Sequence, residues 1–351
     1  MLDPGLIILF SCNFIFSMVM TGMVRRYSLH KSLIDIPNER SSHNTPTPRG
    51  GGMAIVISVL ISLGVMFYAQ WITLNVFLAL VSGGIIVAVT GWLDDHRHVS
   101  PLFRGLLYAA AVIITLFFLG GLSVLNLGGY SFTLPLLTNI LAVIGMVWLI
   151  NLYNFMDETD ALAAVQTICA GLFLGFLFLL SHQTGQAGLS FLIIASCAGF
   201  LYWNWPPARI FMGDVGSCFI GFYFGTLAII GETTDSVSIL VFFILLGVFI
   251  CDATLTLLLR IIKKDVWYKA HRSHAYQRLV QMGFSHKQIA VGLIAVNVTL
   301  LWPMAYVVYH WEQLTIFMLM LAMFLLSLFW AGIQIRFMYY SKEAQNKSSR
   351  A

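Results

Sequence analysis

Charge is what this sequence has least of. Asp, Glu, Lys and Arg make up 10% of 351 residues, against 59% apolar types. A soluble domain carries roughly 25% charged residues, so this chain cannot cover itself in water. A large soluble domain and a disordered chain are both excluded. Cysteine is sparse too. Cys12, Cys169, Cys197, Cys218 and Cys251 stand singly in apolar runs, with no CxxC pair. That argues against a disulfide framework or a thiolate metal site and leaves small core residues. No basic residue precedes the first apolar run, Leu6 to Val24: Asp3 stands before it and Arg25-Arg26 after it, the reverse of a cleavable signal peptide. The run is expected to be a first spanning helix that starts outside. Internal repeats are lacking. The one low-complexity stretch is the polar tail Ser341 to Ala351, expected to be disordered.

What the sequence has in abundance is long apolar runs. A spanning helix needs about 20 mostly apolar residues. Such runs fall at about 5–24, 53–70, 74–93, 105–120, 136–153, 161–181, 188–203, 216–231, 237–260, 288–309 and 313–335. All 19 Lys and Arg residues sit in one set of alternating loops or at the helix ends facing it. By the positive-inside rule that set is cytoplasmic. The expectation is an all-α polytopic membrane protein of about eleven transmembrane helices, N-terminus outside, C-terminus cytoplasmic. Residues 1–335 form one transmembrane domain with cytoplasmic loops 25–52, 94–104, 154–160, 204–215 and 261–287. Residues 336–351 form a cytoplasmic tail expected to be disordered. On the other side, Gly121 to Pro135 reads as a small hairpin around Gly128-Gly129.

Acids near a membrane tend to be functional, and Asp35, Glu39, Asp94, Asp95, Asp157, Glu158, Asp160, Asp214 and Asp265 all fall on the cytoplasmic side. The first loop, DIPNERSSHNTPTPRGGG from Asp35, has Pro46 and Pro48 to stiffen it. It has Gly50 to Gly52 to bring backbone close to a ligand and Arg40, His43 and Arg49 to hold an anion. The second, DDHRHVSPLFR, pairs Asp94 with Asp95. Adjacent carboxylates suit Mg2+ bridging phosphates, Zn2+ with His96 and His98, or a polar helix cap. The third, NLYNFMDETDAL, spaces Asn151, Asn154, Asp157 and Asp160 three apart, one face if helical. In the fourth, FMGDVGS, Asp214 at a helix start suits a metal ligand or a cap. In the fifth, HRSHAYQRL, His271, His274 and Arg278 make one helical stripe that suits a metal pair or a phosphate. With Trp267, Tyr268 and Tyr276 it is expected to lie along the membrane interface. Asp252, inside the ninth run, is either a structural hydrogen-bonding group or a catalytic one.

Together TPTPRGGG, the DD pair, NxxNxxDxxD, FMGDVGS and HRSH resemble one family, the polyprenyl-phosphate N-acetylhexosamine-1-phosphate transferases of glycosyltransferase family 4 type. The wording HRSHAYQ is most similar to the branch that initiates O-antigen and enterobacterial-type polysaccharides. The resemblance runs from about Asp35 to Arg278. It implies transfer of a sugar-1-phosphate from a UDP-N-acetyl sugar, UDP-GlcNAc or a 6-deoxy relative, to undecaprenyl phosphate, with release of UMP. This would be the first membrane step of lipopolysaccharide or cell-wall polysaccharide synthesis, at the cytoplasmic face of a bacterial inner membrane. It implies Mg2+, with Mn2+ as the alternative ion, a homodimer as a compatible state, and no nucleic acid polymer as partner. Asp214 matches the principal metal ligand. Asp94 and Asp95 match an aspartate pair beside it that serves metal support, lipid-phosphate positioning or proton acceptance. Asn154, Asp157, Asp160, Asn204 and Phe211 match positions lining the nucleotide pocket. Arg49, His271 and His274 resemble phosphate-handling groups, the two histidines counted as catalytic, and Asp35 and His43 join the substrate-binding set.

One departure stands out. The family reads DGxDG where this chain has Asp157-Glu158-Thr159-Asp160-Ala161. If those positions need positive φ, Glu158 and Ala161 are strained. The outcomes left open are retained activity on a shifted backbone, altered sugar choice and a diverged, low-activity member. Phospho-N-acetylmuramoyl-pentapeptide transfer is the alternative within the family. Outside it stand a transporter and a membrane metallohydrolase built on His96, His98, His271 and His274.

Overall fold

One helix organises the molecule: Asp214–Thr233 is 94% buried over its apolar window, although it is apolar enough to face lipid. The computed structural model describes residues 3–37, 45–97, 99–265 and 272–348. The elements, in chain order, begin with α1 (Pro4–His30), the strand pair β1 (Ile34–Asp35) and β2 (Thr47–Pro48), α2 (Gly52–Tyr68), α3 (Leu74–His96) and α4 (Pro101–Leu119). The hairpin β3 (Leu125–Leu127) and β4 (Tyr130–Phe132) leads to α5 (Pro135–Phe155), α6 (Leu162–Leu180), α7 (Thr184–Asn204) and α8 (Asp214–Thr233). The remainder is α9 (Ile239–Leu245), α10 (Gly247–Ile262), α11 (Ala275–Gln281), α12 (His286–Val296), α13 (Trp302–His310) and α14 (Thr315–Ser348). α8 packs against α3 and α5 most extensively, then against α2, α7 and α9.

The architecture is the expected all-α polytopic one. Among the described residues nine helices are long and apolar enough to cross a membrane. α9 and α10 make a tenth if taken as one span bent by 76°. α2 is apolar but has 17 residues, short of the usual length. The expected run 237–260 is thus broken. The break frees the Leu245 carbonyl, which accepts from Gln166 Nε2 at 2.7 Å, and Gln166 Oε1 accepts in turn from Asn297 Nδ2 at 3.0 Å. An apolar interior tolerates a broken helix only where such partners exist. Asn297 itself opens a π-helical turn, Asn297–Leu301, between α12 and α13.

Polar side chains fasten α1, α2 and α7 in the same way. Asn13 donates to Ser196 Oγ at 2.6 Å, Ser17 to the Ser196 carbonyl at 2.7 Å, and Ser58 to Ser196 Oγ at 3.0 Å. Small residues and buried hydroxyls substitute here for a hydrophobic driving force that lipid does not provide.

Several expectations are corrected. The tail from Arg336 continues α14 to Ser348 rather than ending in coil. Cys12 is exposed on α1, while the other four cysteines are buried and none forms a disulfide. The hairpin is present, turning on Gly128 and Gly129 with φ of 61° and 88°. Acids occur at that end too. Glu232 accepts the Asn126 amide at 2.6 Å and the Ile239 amide at 2.7 Å, stapling the hairpin to the start of α9.

Candidate active site

α8 begins at Asp214, and its first turn is where the remote segments meet. Close approach at that point depends on glycine. A Cβ on Gly52 would lie 2.3 Å from the Gly216 Cα. Gly213 has φ of 78°, and a Cβ there would lie 2.9 Å from Asp95 Oδ2. The amides of Gly51 and Gly52 donate to the carbonyls of Phe211 and Met212 at 2.9 and 2.8 Å. Gly51 and Gly52 therefore lock α2 onto the FMGD turn, while Gly50, at φ 96°, faces open space.

Asp94 and Asp95 end α3 and turn to different neighbours. Asp94 accepts the Val99 amide at 2.9 Å through one oxygen and Arg104 Nη1 through the other. Asp95 accepts the Val215 amide at 3.3 Å and lies 4.0 Å from Arg49 Nη1. Arg49 Nη2 also donates to the Asp95 carbonyl. Arg104 Nη1 stands 3.6 Å from Asp214 Oδ2, so one guanidinium bridges Asp94 and Asp214. The side chain of Asn154 hydrogen-bonds Asp214. Burial pushes the Asp157 carboxyl well above the ordinary carboxylate range, and the charges of Asp214 and Asp95 push it the same way, against a hydrogen bond from the Gly213 backbone. Asp94, Asp95, Asn154, Asp157, Asp214, Arg49 and Arg104 thus form one cluster at one end of the bundle. A helix N-terminus within it favours negative charge.

Arg104 was not among the residues singled out in the sequence. The available signal was a basic residue in the first turn of the helix following the aspartate pair.

Other sequence-selected residues are placed elsewhere. The helix carrying Asn151 and Asn154 ends at Phe155, so Asp157 and Asp160 do not continue its face. Asp160 accepts the Ala208 amide at 3.0 Å and lies 3.1 Å from His286 Nδ1, an unforeseen partner. Asn204 is buried. Its Oδ1 accepts the Ala161 amide at 2.8 Å and its Nδ2 donates to the Ile210 carbonyl at 2.9 Å. Phe211 pairs through its backbone with Pro48 and Gly51. Asp35 lies in β1 opposite Thr47. His274 precedes α11 as its N-cap, so the expected helical stripe of histidines and Arg278 is not formed from it. Glu39, Arg40, His43, His98, Trp267, Tyr268 and His271 lie outside the described residues.

Asp252 bonds the start of α11 and lies 3.5 Å from His274 Nδ1 through Oδ1. Its Oδ1 accepts the Ala275 amide at 2.8 Å and Thr256 Oγ1 at 3.1 Å, and its Oδ2 accepts the Tyr276 amide at 3.4 Å. It therefore caps α11 from inside α10. Ala161 adopts φ of 65°, the left-handed conformation expected of a glycine position, whereas Glu158 lies outside that region.

Among the described residues no group of three or more His, Cys, Asp or Glu side chains is arranged to hold a metal ion. His96 Nδ1 turns back to the Trp92 carbonyl at 2.8 Å, away from any histidine cluster. The acids around Asp214 offer carboxylate oxygen donors. That chemistry fits a hard cation that keeps its waters and takes only one or two protein carboxylates. One cavity touches the cluster, and a second is lined by the neighbouring Met156 but by no cluster residue. The first, of about 120 Å³, lies beside Arg49, Asp95 and Trp92. The second, of about 590 Å³, is apolar and runs from Met156 and Tyr276 between α10, α12 and α14.

Comparison with known proteins gives a consistent result. The model of glycosyl transferase family 4 matches residues 76–232, the span holding Asp94, Asp95, Asn154, Asp157 and Asp214. The chain is 30% identical over 301 residues to the probable undecaprenyl-phosphate N-acetylglucosaminyl 1-phosphate transferase of Bacillus subtilis (strain 168), covering 82% of this chain and 81% of that protein. It is 29% identical over 315 residues to the decaprenyl-phosphate N-acetylglucosaminephosphotransferase of Mycolicibacterium smegmatis, covering 78% and 77%. The phospho-N-acetylmuramoyl-pentapeptide-transferase of Moorella thermoacetica is 29% identical over 296 residues, covering 80% and 85%.

Proposed function

This chain belongs to glycosyl transferase family 4, and from that premise we propose that it moves a sugar-1-phosphate onto a polyprenyl phosphate within the membrane. The observation that carries the reading is the cluster around Asp214: acids and guanidiniums brought together from five separate segments. Two phosphate-bearing substrates must meet against their mutual charge, and fixed cations and a divalent ion serve that need. The apolar cavity offers room for the first isoprene units of a lipid.

In this reading the donor is a UDP-N-acetyl sugar, UDP-GlcNAc or a 6-deoxy relative, and the acceptor is undecaprenyl phosphate. The side rich in Lys and Arg faces the cytoplasm of a bacterial inner membrane. A lipid phosphate oxygen bonds to the β-phosphorus of the donor. The bond from that phosphorus to the bridging oxygen breaks, and UMP leaves with the electron pair. The acceptor phosphate is largely ionised at pH 7, because the second pKa of a phosphate ester is near 6. No strong base is needed, and positioning with charge neutralisation carries the step.

Asp214, supported by Asp94 or Asp95, would hold Mg2+, or Mn2+ on the same oxygen donors. When bound, the ion supplies charge screening between the phosphates. Arg104 is suited to exchange a carboxylate for a phosphate oxygen, since its planar fork serves both. Asn154 and the Gly213 backbone hold Asp214 and Asp157 in place.

The Moorella relative favours a second reading, transfer of a peptide-bearing sugar phosphate. Mass spectrometry of the lipid formed from UDP-GlcNAc and undecaprenyl phosphate separates the two. A lipid-linked N-acetylhexosamine diphosphate supports the first. Product only from the pentapeptide donor supports the second.

A further inference from the structure

The Asp157 loop and the segment leading into α11 are joined by side chains that run through Glu158. Glu158 is exposed as a whole, yet its Oε2 accepts a hydrogen bond from Gln277 Nε2 and lies 3.5 Å from the Tyr276 hydroxyl. Both partners have a second contact that bears on His274. The other end of the Gln277 amide, Oε1, accepts the His274 amide at 3.1 Å. The Tyr276 hydroxyl donates to the Phe155 carbonyl at 2.7 Å. The His274 ring is buried and lies between Phe155 and Tyr276, with centroids 6.4 and 5.6 Å away and near-parallel planes of 28° and 12°. A residue without a side chain at 158 makes none of these connections.

We propose that Glu158 is a positioning residue, a latch that holds the His274 turn against the Asp157 loop before substrate arrives. This rests on the transferase reading and deepens it. In a site whose binding-competent arrangement is only partly populated, apparent affinity falls by that fraction. A latch that pre-orders one wall of the pocket therefore acts on KM more than on kcat. The Glu158 backbone lies outside the left-handed region, so the side chain is carried without the strain that Ala161 bears.

The hydrogen bond is reversible in sense, which provides the test. Glu158→Gly removes the acceptor. Gln277→Glu sets two carboxylates face to face. The double exchange Glu158→Gln with Gln277→Glu restores the bond with donor and acceptor interchanged and leaves an oxygen for the His274 amide. Kinetics use the full chain in lipid nanodiscs, with UDP-GlcNAc and undecaprenyl phosphate as probes. Hydrogen exchange of the α11 amides is read on the same samples without substrate. Each single variant is expected to raise KM for the nucleotide sugar about tenfold with kcat within about twofold. Both are expected to speed α11 exchange, and the double exchange to reverse both effects. An active wild type with unchanged KM in both single variants overturns the latch and leaves the transferase reading standing. An inactive wild type removes that reading, and exchange alone then decides. Faster exchange restored by the double exchange supports the latch, and unchanged or unrestored exchange overturns it. Should Glu158→Gly fail to fold, Gln277→Leu takes its place with the same expectations.

Discussion

A side-chain carbon on Gly52 would come within 2.3 Å of the Gly216 Cα, so α2 and α8 touch backbone to backbone within the turn that Asp214 begins. No flexible side chain stands between them to give way. Gly52→Ala and Gly216→Ala are each expected to destabilise the protein by about 1–3 kcal/mol, as overpacking does. Gly105→Ala, with no atom within 4 Å of the new carbon, serves as the control. Thermal unfolding in detergent checks the difference.

Ala161 pays a conformational cost that glycine avoids. An L-residue in the left-handed region is disfavoured by about 1–2 kcal/mol, and Ala161 sits there at φ 65° with its amide fixed to Asn204. Glycine loses more unfolded-state freedom, which offsets part of the gain. Ala161→Gly is expected to stabilise by about 0.5–1 kcal/mol and to leave turnover within about twofold. A lowered melting temperature contradicts this.

Asp160 was expected in the nucleotide pocket, yet its carboxylate holds the Ala208 amide and His286. Asp160→Ala leaves a backbone donor without its acceptor at a cost of about 1–3 kcal/mol. The expected outcome is a lower melting temperature, with KM for the donor moving less than in the Glu158 variants. A KM effect without loss of stability returns Asp160 to the pocket.

The Asp157 carboxyl is raised by burial first and then by the neighbouring Asp214 and Asp95 charges. The sign follows from linkage. A carboxyl whose folded pKa exceeds its unfolded value, about 3.9 for Asp, favours folding while protonated. That contribution is lost as pH rises through the folded pKa. In EDTA, wild-type stability is expected to fall as pH climbs above about 4, and Asp157→Asn to flatten that slope. Melting temperatures measured across the acid-to-neutral range decide it, and parallel slopes contradict the assignment.

Much of this was legible in the sequence because apolar runs and loop acids are local signals. Most span positions follow from the length of the apolar runs, and the glycine hairpin from turn chemistry. The grouping of Asp94 with Asp214 was suggested by resemblance alone, since nothing local relates residues so far apart. What stayed hidden depends on contacts between segments. Arg104 looked like an ordinary basic residue at a helix start until α3 and α4 brought it between two acids. Asn204 and Asp160 bond the Ile210 carbonyl and the Ala208 amide, and Asp160 also meets His286, partners that no local pattern announces. The break between α9 and α10 gave no proline to announce it. Its freed carbonyl is satisfied by Gln166, from a distant helix.

The central claim is that Asp214 anchors a site where a nucleotide sugar meets a lipid phosphate. It is tested most directly by UMP release in proteoliposomes containing undecaprenyl phosphate, UDP-GlcNAc and Mg2+, with wild type and Asp214→Asn compared at equal folded protein. Release that requires the lipid and falls at least about a hundredfold in the variant is the predicted result. Lipid-independent release, or equal release by both proteins, contradicts it.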